Sequence, residues 1–90
     1  MGGLLLINSR DVASFFNKSH RDVLRTIDNI MDKDESTKEM FTKHIRQHNG
    51  RDFRYFLMNR DGFLLLALGF TGKSTIKKRK EILRMFDGNN

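Results

Sequence analysis

Apolar positions recur along this chain in more than one rhythm, and each rhythm predicts a different element. Val23, Leu24, Ile27, Ile30 and Met31 fall at the i, i+1, i+4, i+7, i+8 spacing of one helix face, which predicts an amphipathic helix running to about residue 32. Ser19 stands before it with Asp22 at the third position, the spacing of a capping box with Asp in place of the usual Glu or Gln. Upstream, Val12, Ala13 and Phe16 share a face, so residues 10–16 read as a short helix. Ser9 is its expected N-cap, and Asp11 lies in the first turn, where the helix dipole favours an anion. Asn17-Lys18 reads as the turn between the two helices, a helix-turn-helix candidate. Leu4-Leu5-Leu6-Ile7 is a short apolar run, ambiguous by periodicity, and is expected to be a buried strand.

The second half changes period. Asp32 to Glu39 is polar and reads as a loop or a frayed helix end. Residues 41–47 and 52–58 are strand-like and flank His48-Asn49-Gly50-Arg51. Asn-Gly is a strong hairpin signal because a type I′ turn needs two residues that tolerate positive φ. Phe53, Tyr55 and Leu57 alternate onto one face of the second strand. Asn59 is placed to cap a short apolar helix from Arg60 to about Leu68, with Gly69 near its end. Residues 72–86 read as a last helix carrying Ile76, Leu83 and Phe86. Helix, helix, hairpin, helix, helix, with an N-terminal strand, is the order of a winged helix. The expected fold class is therefore α+β, a small winged helix-turn-helix with a β-hairpin wing and C-terminal helices, forming a single domain over residues 1–90.

Composition adds partners to this picture. The formal charge is +6, but residues 1–40 carry six Lys/Arg against seven Asp/Glu, whereas residues 41–90 carry eleven against four. A basic surface confined to one half suggests a polyanion, and its plainer alternative is a solvated face that aids solubility. There is no cysteine, hence no disulfide or thiolate metal site. The one apolar run near the start is far below the roughly 18 residues of a membrane span and lacks a basic flank, so a cytoplasmic protein without a membrane partner is expected.

Two sets of residues carry a family resemblance. Ser9-Arg10-Asp11-Val12-Ala13, then His20 and Val23-Leu24-Arg25 with Ile27, resembles the first half of the Rha domain of phage regulatory proteins. Asn59-Arg60-Asp61-Gly62-Phe63-Leu64-Leu65-Leu66, followed by Gly69-Phe70-Thr71-Gly72-Lys73, is the more distinctive pair of boxes. The resemblance runs from about residue 7 to Phe86. It implies a protein of temperate phages or prophages that acts in regulation, with DNA binding inferred. The chain departs from the family where Lys78 and Lys80 replace large apolar residues, which makes the last helix unusually basic.

On a DNA reading, the second helix presents Arg25 and Asn29 almost opposite its apolar stripe, with Arg21 on the shoulder and Ser19 and His20 at its start. Arg reads guanine and Asn reads adenine bidentately. The same face carries Asp22, Asp28 and Asp32, which repel phosphates, so an ion-paired solvent face is the competing reading. His20 projects towards the apolar side and reads as a packing or capping residue as well as a candidate contact. The wing offers Lys43, Arg46, His48, Arg51 and Arg54, suited to backbone or minor-groove contact. Lys77-Lys78-Arg79-Lys80 on the last helix would neutralise phosphates, and Lys73 would hold one near that helix's start. Gly72-Lys73-Ser74 is not a Walker A loop, since Ala67 occupies the position of its first glycine. His20, His44 and His48 lack metal-ligand spacing, and no nucleophile or carboxylate pair supports catalysis.

The DNA-binding candidates are thus Ser19, His20, Arg21, Arg25, Asn29, Arg46, Arg51, Lys73, Lys77 and Lys78, with double-stranded DNA as partner, a homodimer as the form, and no cofactor. A protein-binding regulator, an antirepressor or an inhibitor of a host factor, is the alternative. The DNA reading requires the cationic hairpin and the last helix to flank the exposed side of residues 20–32.

Overall fold

The computed structural model describes residues 6–70 and, beyond them, Lys77, Lys80, Glu81 and Arg84. Strand β1 (Ile7–Asn8) is followed by helices α1 (Ser9–Phe16) and α2 (His20–Lys33), then by a 3₁₀ helix (Glu35–Met40). Strands β2 (Phe41–His48) and β3 (Arg51–Met58) and helix α3 (Arg60–Leu68) complete the order. The strands form one antiparallel sheet in the order β1-β3-β2, so the chain is a small α+β protein with helices packed on a three-stranded sheet.

Local chemistry explains most element ends. Ser19 accepts a hydrogen bond from the Asp22 N–H at 3.1 Å and starts α2 where its spacing predicts. Asn59 likewise accepts from the Gly62 N–H at 2.8 Å and starts α3. Helix α1 ends at Asn17 in the left-handed region (φ 56°), and the Lys18 N–H closes on the Ala13 carbonyl, a left-handed C-cap that turns the chain into α2. Asn49 (φ 52°) and Gly50 (φ 75°) supply the two positive φ angles of the hairpin turn, and the register runs from His48↔Arg51 to Phe41↔Met58.

Three expectations are corrected. The N-cap of α1 is Asn8, whose side chain accepts from the Arg10 N–H, and not Ser9, which is fully buried inside the helix start. The polar stretch after residue 32 is ordered: α2 reaches Lys33, and Asp34 caps the 3₁₀ helix through Ser36. The apolar run before the helices contributes only Ile7 to a strand; Leu6 is exposed, and Leu4 and Leu5 lie outside the described residues. Gly69 caps the end of α3 where the sequence places it, with φ −77°, a right-handed conformation that makes no use of glycine's freedom. The last helix, residues 72–86, falls mostly outside the described residues; Lys77, Lys80, Glu81 and Arg84 are helical and exposed.

The core sits between the helices and one face of the sheet. Val12, Phe16, Val23 and Ile27 of the first two helices meet Phe56 and Met58 of β3 and Phe63 and Leu66 of α3. Phe16 is the aromatic hub, with Phe63 stacked at 6.0 Å and Phe70 edge-on at 5.0 Å between centroids. Phe53, Tyr55 and Leu57 share one face of β3 as their alternation predicts, but the core takes the other face, through Phe56 and Met58.

Candidate nucleic-acid interface

Helix α2 turns Val23 and Ile27 into the core and leaves Arg21, Arg25, Asn29, Asp32 and Lys33 exposed, as the periodicity predicts. Its acids are partly neutralised in place. Asp22 accepts from the Arg25 guanidinium at 2.5 Å. Asp28 is held by Arg54 of β3 in a bidentate pair at 2.7 and 3.1 Å, and the Arg54 guanidinium also lies over the Phe56 ring. The carboxylate beside Arg54 raises the guanidinium's pKa above its ordinary value. Arg54 is thus committed to Asp28, where the sequence offers it as a free wing cation. The bridge joins residues 26 apart in sequence and fixes the hairpin alongside α2.

The hairpin has two unlike faces. Arg54, Phe56 and Met58 point towards the helices, and antiparallel register puts Ile45 and Phe41 of β2 on the same side. The opposite face carries His44, Arg46 and His48 of β2 against Tyr55, Phe53 and Arg51 of β3. There His44 and Tyr55 stack at 5.3 Å with 18° between their planes. Arg46, His48 and Phe53 line a cavity of about 210 Å³ together with Arg10, which reaches it from the first turn of α1. The wing cations therefore divide: Arg46 lies on the face turned from α2, while Arg51 stands beside the turn.

Ser9 and His20 form a partly buried joint. Where β1 stops pairing, the Ser9 Oγ accepts the Phe56 N–H at 3.0 Å and so extends the ladder of β3 by one bond. The same Oγ is 2.8 Å from His20 Nε2. A hydroxyl that accepts from Phe56 keeps its own proton to donate, and a neutral imidazole is the form that receives it. Burial, then the charges of Arg10 and Arg54, hold the His20 pKa below its ordinary 6.5. His20 thus ties α2 to α1 and β3, and Ser19 is occupied as a cap.

Of the other sequence candidates, Lys77 is exposed, whereas Lys73 and Lys78 lie outside the described residues. Sequence reading passed over Arg10 and the ring-bearing outer face. A usable signal existed: pairing the strands about Asn49-Gly50 aligns His44, Arg46 and His48 with Tyr55, Phe53 and Arg51. Among the described residues, no group of three or more His, Asp or Glu is placed to hold a metal, and no helix is long and apolar enough to cross a membrane.

Residues 7–88 match the family model described as phage regulatory protein Rha. The chain belongs to the Rha family of phage regulatory proteins. It is also 26% identical over 88 residues to an uncharacterized protein of Haemophilus influenzae, with 92% of this chain and 50% of that protein covered. The chain spans about half the length of this curated relative. No solved structure matches it. Within the Rha match, the Arg60-Asp61-Gly62-Phe63 box has a structural explanation: Asn59 caps the helix and Phe63 stacks on Phe16. A Cβ at Gly62 would sit 2.9 Å from the Met40 carbonyl oxygen, so glycine lets α3 approach the 3₁₀ helix. Phe70 of the second box packs on Phe16 under the Lys18 ammonium.

Proposed function

We propose that this Rha-family chain is a phage or prophage regulator that binds double-stranded DNA through a winged helix-turn-helix, acting as one domain and as a homodimer. The observation that carries the reading is the bidentate Arg54–Asp28 bridge, which sets a hairpin beside the exposed face of the second helix of a helix-turn-helix pair. The strand order β1-β3-β2, with α1 and α2 before the hairpin, is the arrangement that a winged helix needs.

In this reading α2 enters the major groove with Arg25 and Asn29 on base edges and Arg21 at their side, while its start at Ser19 and His20 approaches the backbone. Arg51 beside the hairpin turn and Lys77, Lys78 and Lys73 at the C-terminal end contact phosphates, which set register and affinity without reading sequence. Asp22 does not block Arg25. An exposed i,i+3 pair contributes well under about 1 kcal/mol, whereas a bidentate guanine contact is worth about 1–3 kcal/mol of discrimination. The bound form needs no cofactor and performs no reaction, and the protein works in the cytoplasm of the bacterial host at the nucleoid.

Titration of labelled duplexes at several salt concentrations tests this. Affinity should fall steeply with salt; Lys77→Ala should reduce the slope by about one and weaken all sequences alike, while Arg25→Ala should relax preference at one base position. Affinity that ignores salt contradicts it. A second reading, a protein-binding regulator such as an antirepressor, is favoured by Ile45, 55% exposed on the hairpin face that meets α2, and by Asp32, which has no basic partner among the described residues. A specific partner retained after nuclease treatment, with no duplex binding, would select that reading.

A further inference from the structure

The outer face of the hairpin carries chemistry that the duplex reading does not use. Rings and cations alternate there. Phe53 is 40% exposed despite its size, with the stacked His44–Tyr55 pair two residues along the strands. Beside Phe53 lies the cavity of about 210 Å³ lined by Arg10, Arg46 and His48. Among the described residues no carboxylate lines it, and neither Arg10 nor Arg46 has an acidic partner. Two unpaired guanidiniums converging on one exposed ring ask for a ligand that is both anionic and planar.

We infer that this cavity holds an unpaired nucleotide, its base stacked on Phe53 and its phosphate held between Arg10 and Arg46. Guanidinium groups grip phosphate oxygens through paired N–H donors, and any base can stack on a phenyl face. The cavity is smaller than the roughly 300–1,000 Å³ of a drug-sized ligand's site, which suits one base and its phosphate. Phe53 and Tyr55 lie two residues apart on one strand, about 7 Å, so a strand leaving the cavity meets a second ring. Sheets that display rings on an open face bind single strands in this way. An acidic peptide would satisfy the guanidiniums but leave the row of rings without a role. The nucleotide can come from an unpaired stretch of nucleic acid or from a free mononucleotide.

Fluorescence polarisation with a short labelled oligothymidylate tests the site, using the full chain with folding of each variant checked by circular dichroism. Phe53→Ala and Arg46→Gln should each weaken binding about fivefold or more, and Phe53→Tyr should restore it. Phe53→Ala should leave duplex affinity unchanged, and Arg25→Ala should leave the oligothymidylate affinity unchanged. Duplex binding can thus fail without this site failing. Competition by free AMP would identify a mononucleotide as the ligand; binding that AMP does not displace would identify a strand. The inference is overturned if neither oligothymidylate nor AMP binds, or if Phe53→Ala has no effect. Displacement by a polyglutamate peptide at equal affinity would also overturn it, since the surface would then recognise only charge.

Discussion

Replacing Ser9 by Ala removes one oxygen and should cost more than most surface changes in this protein. Ser9 is fully buried, and its Oγ serves both the Phe56 N–H and His20 Nε2. Loss of the acceptor strands a buried amide, at about 1–3 kcal/mol. The imidazole is half-buried and can turn to water, so its share is smaller, about 0.5–1 kcal/mol. Alanine's better helix propensity returns about 0.5 kcal/mol at this helix start. The net loss is about 2 kcal/mol, a large part of the roughly 5–15 kcal/mol that stabilises a typical domain. In urea, with a slope of about 1–3 kcal/mol per molar, the midpoint should fall by about 1 M without a change in slope. In a His20→Gln background the loss should shrink only by the imidazole share. A midpoint that moves less than about 0.2 M would refute the claim that Ser9 completes the β3 ladder.

Three other outcomes follow from the geometry. Gly62→Ala should destabilise by about 1–2 kcal/mol, because forcing a Cβ against the Met40 carbonyl outweighs the helix propensity gained; a raised midpoint would contradict the close approach. His20 is held neutral, so its folded pKa lies below 6.5 and the unfolded chain binds the proton first. Its contribution should be complete above pH 6.5 and be lost as pH falls through the folded value. His20→Gln should flatten that slope in urea midpoints measured across the range. A double-mutant cycle between Arg54→Met and Asp28→Asn should give a coupling of about 1 kcal/mol, weakened by salt because both side chains are 39% exposed. Zero coupling would remove the anchor between hairpin and α2.

Local signals in the sequence were reliable where one residue decides the outcome alone. Ser19 and Asn59 cap their helices, Asn49-Gly50 turns the hairpin, and the stripe from Val23 to Met31 lies along the inner side of α2. The failures have a common cause in choices that only distant partners settle. Asn8 and Ser9 are both good caps, and Ser9 is drawn inward by Phe56, 47 residues away. Both alternations of β3 contain large apolar residues. Arg54 as a charged residue marks its own side as solvent, but Asp28 neutralises it and lets Phe56 and Met58 face the helices. The candidate site divided in the same way. Periodicity alone located Arg21, Arg25 and Asn29, while the grouping of Arg46 with Arg10 and Phe53 depends on where β1 ends beside β3.

The most direct test of the duplex-binding account is a map of backbone amide shifts in the isotope-labelled chain as a short mixed-sequence duplex is added at low salt. The account predicts the largest perturbations along the exposed side of α2, at Arg21, Arg25 and Asn29, with a second group at Arg51. Perturbations confined to Arg46, Phe53 and Tyr55, or none at saturating duplex, would contradict it.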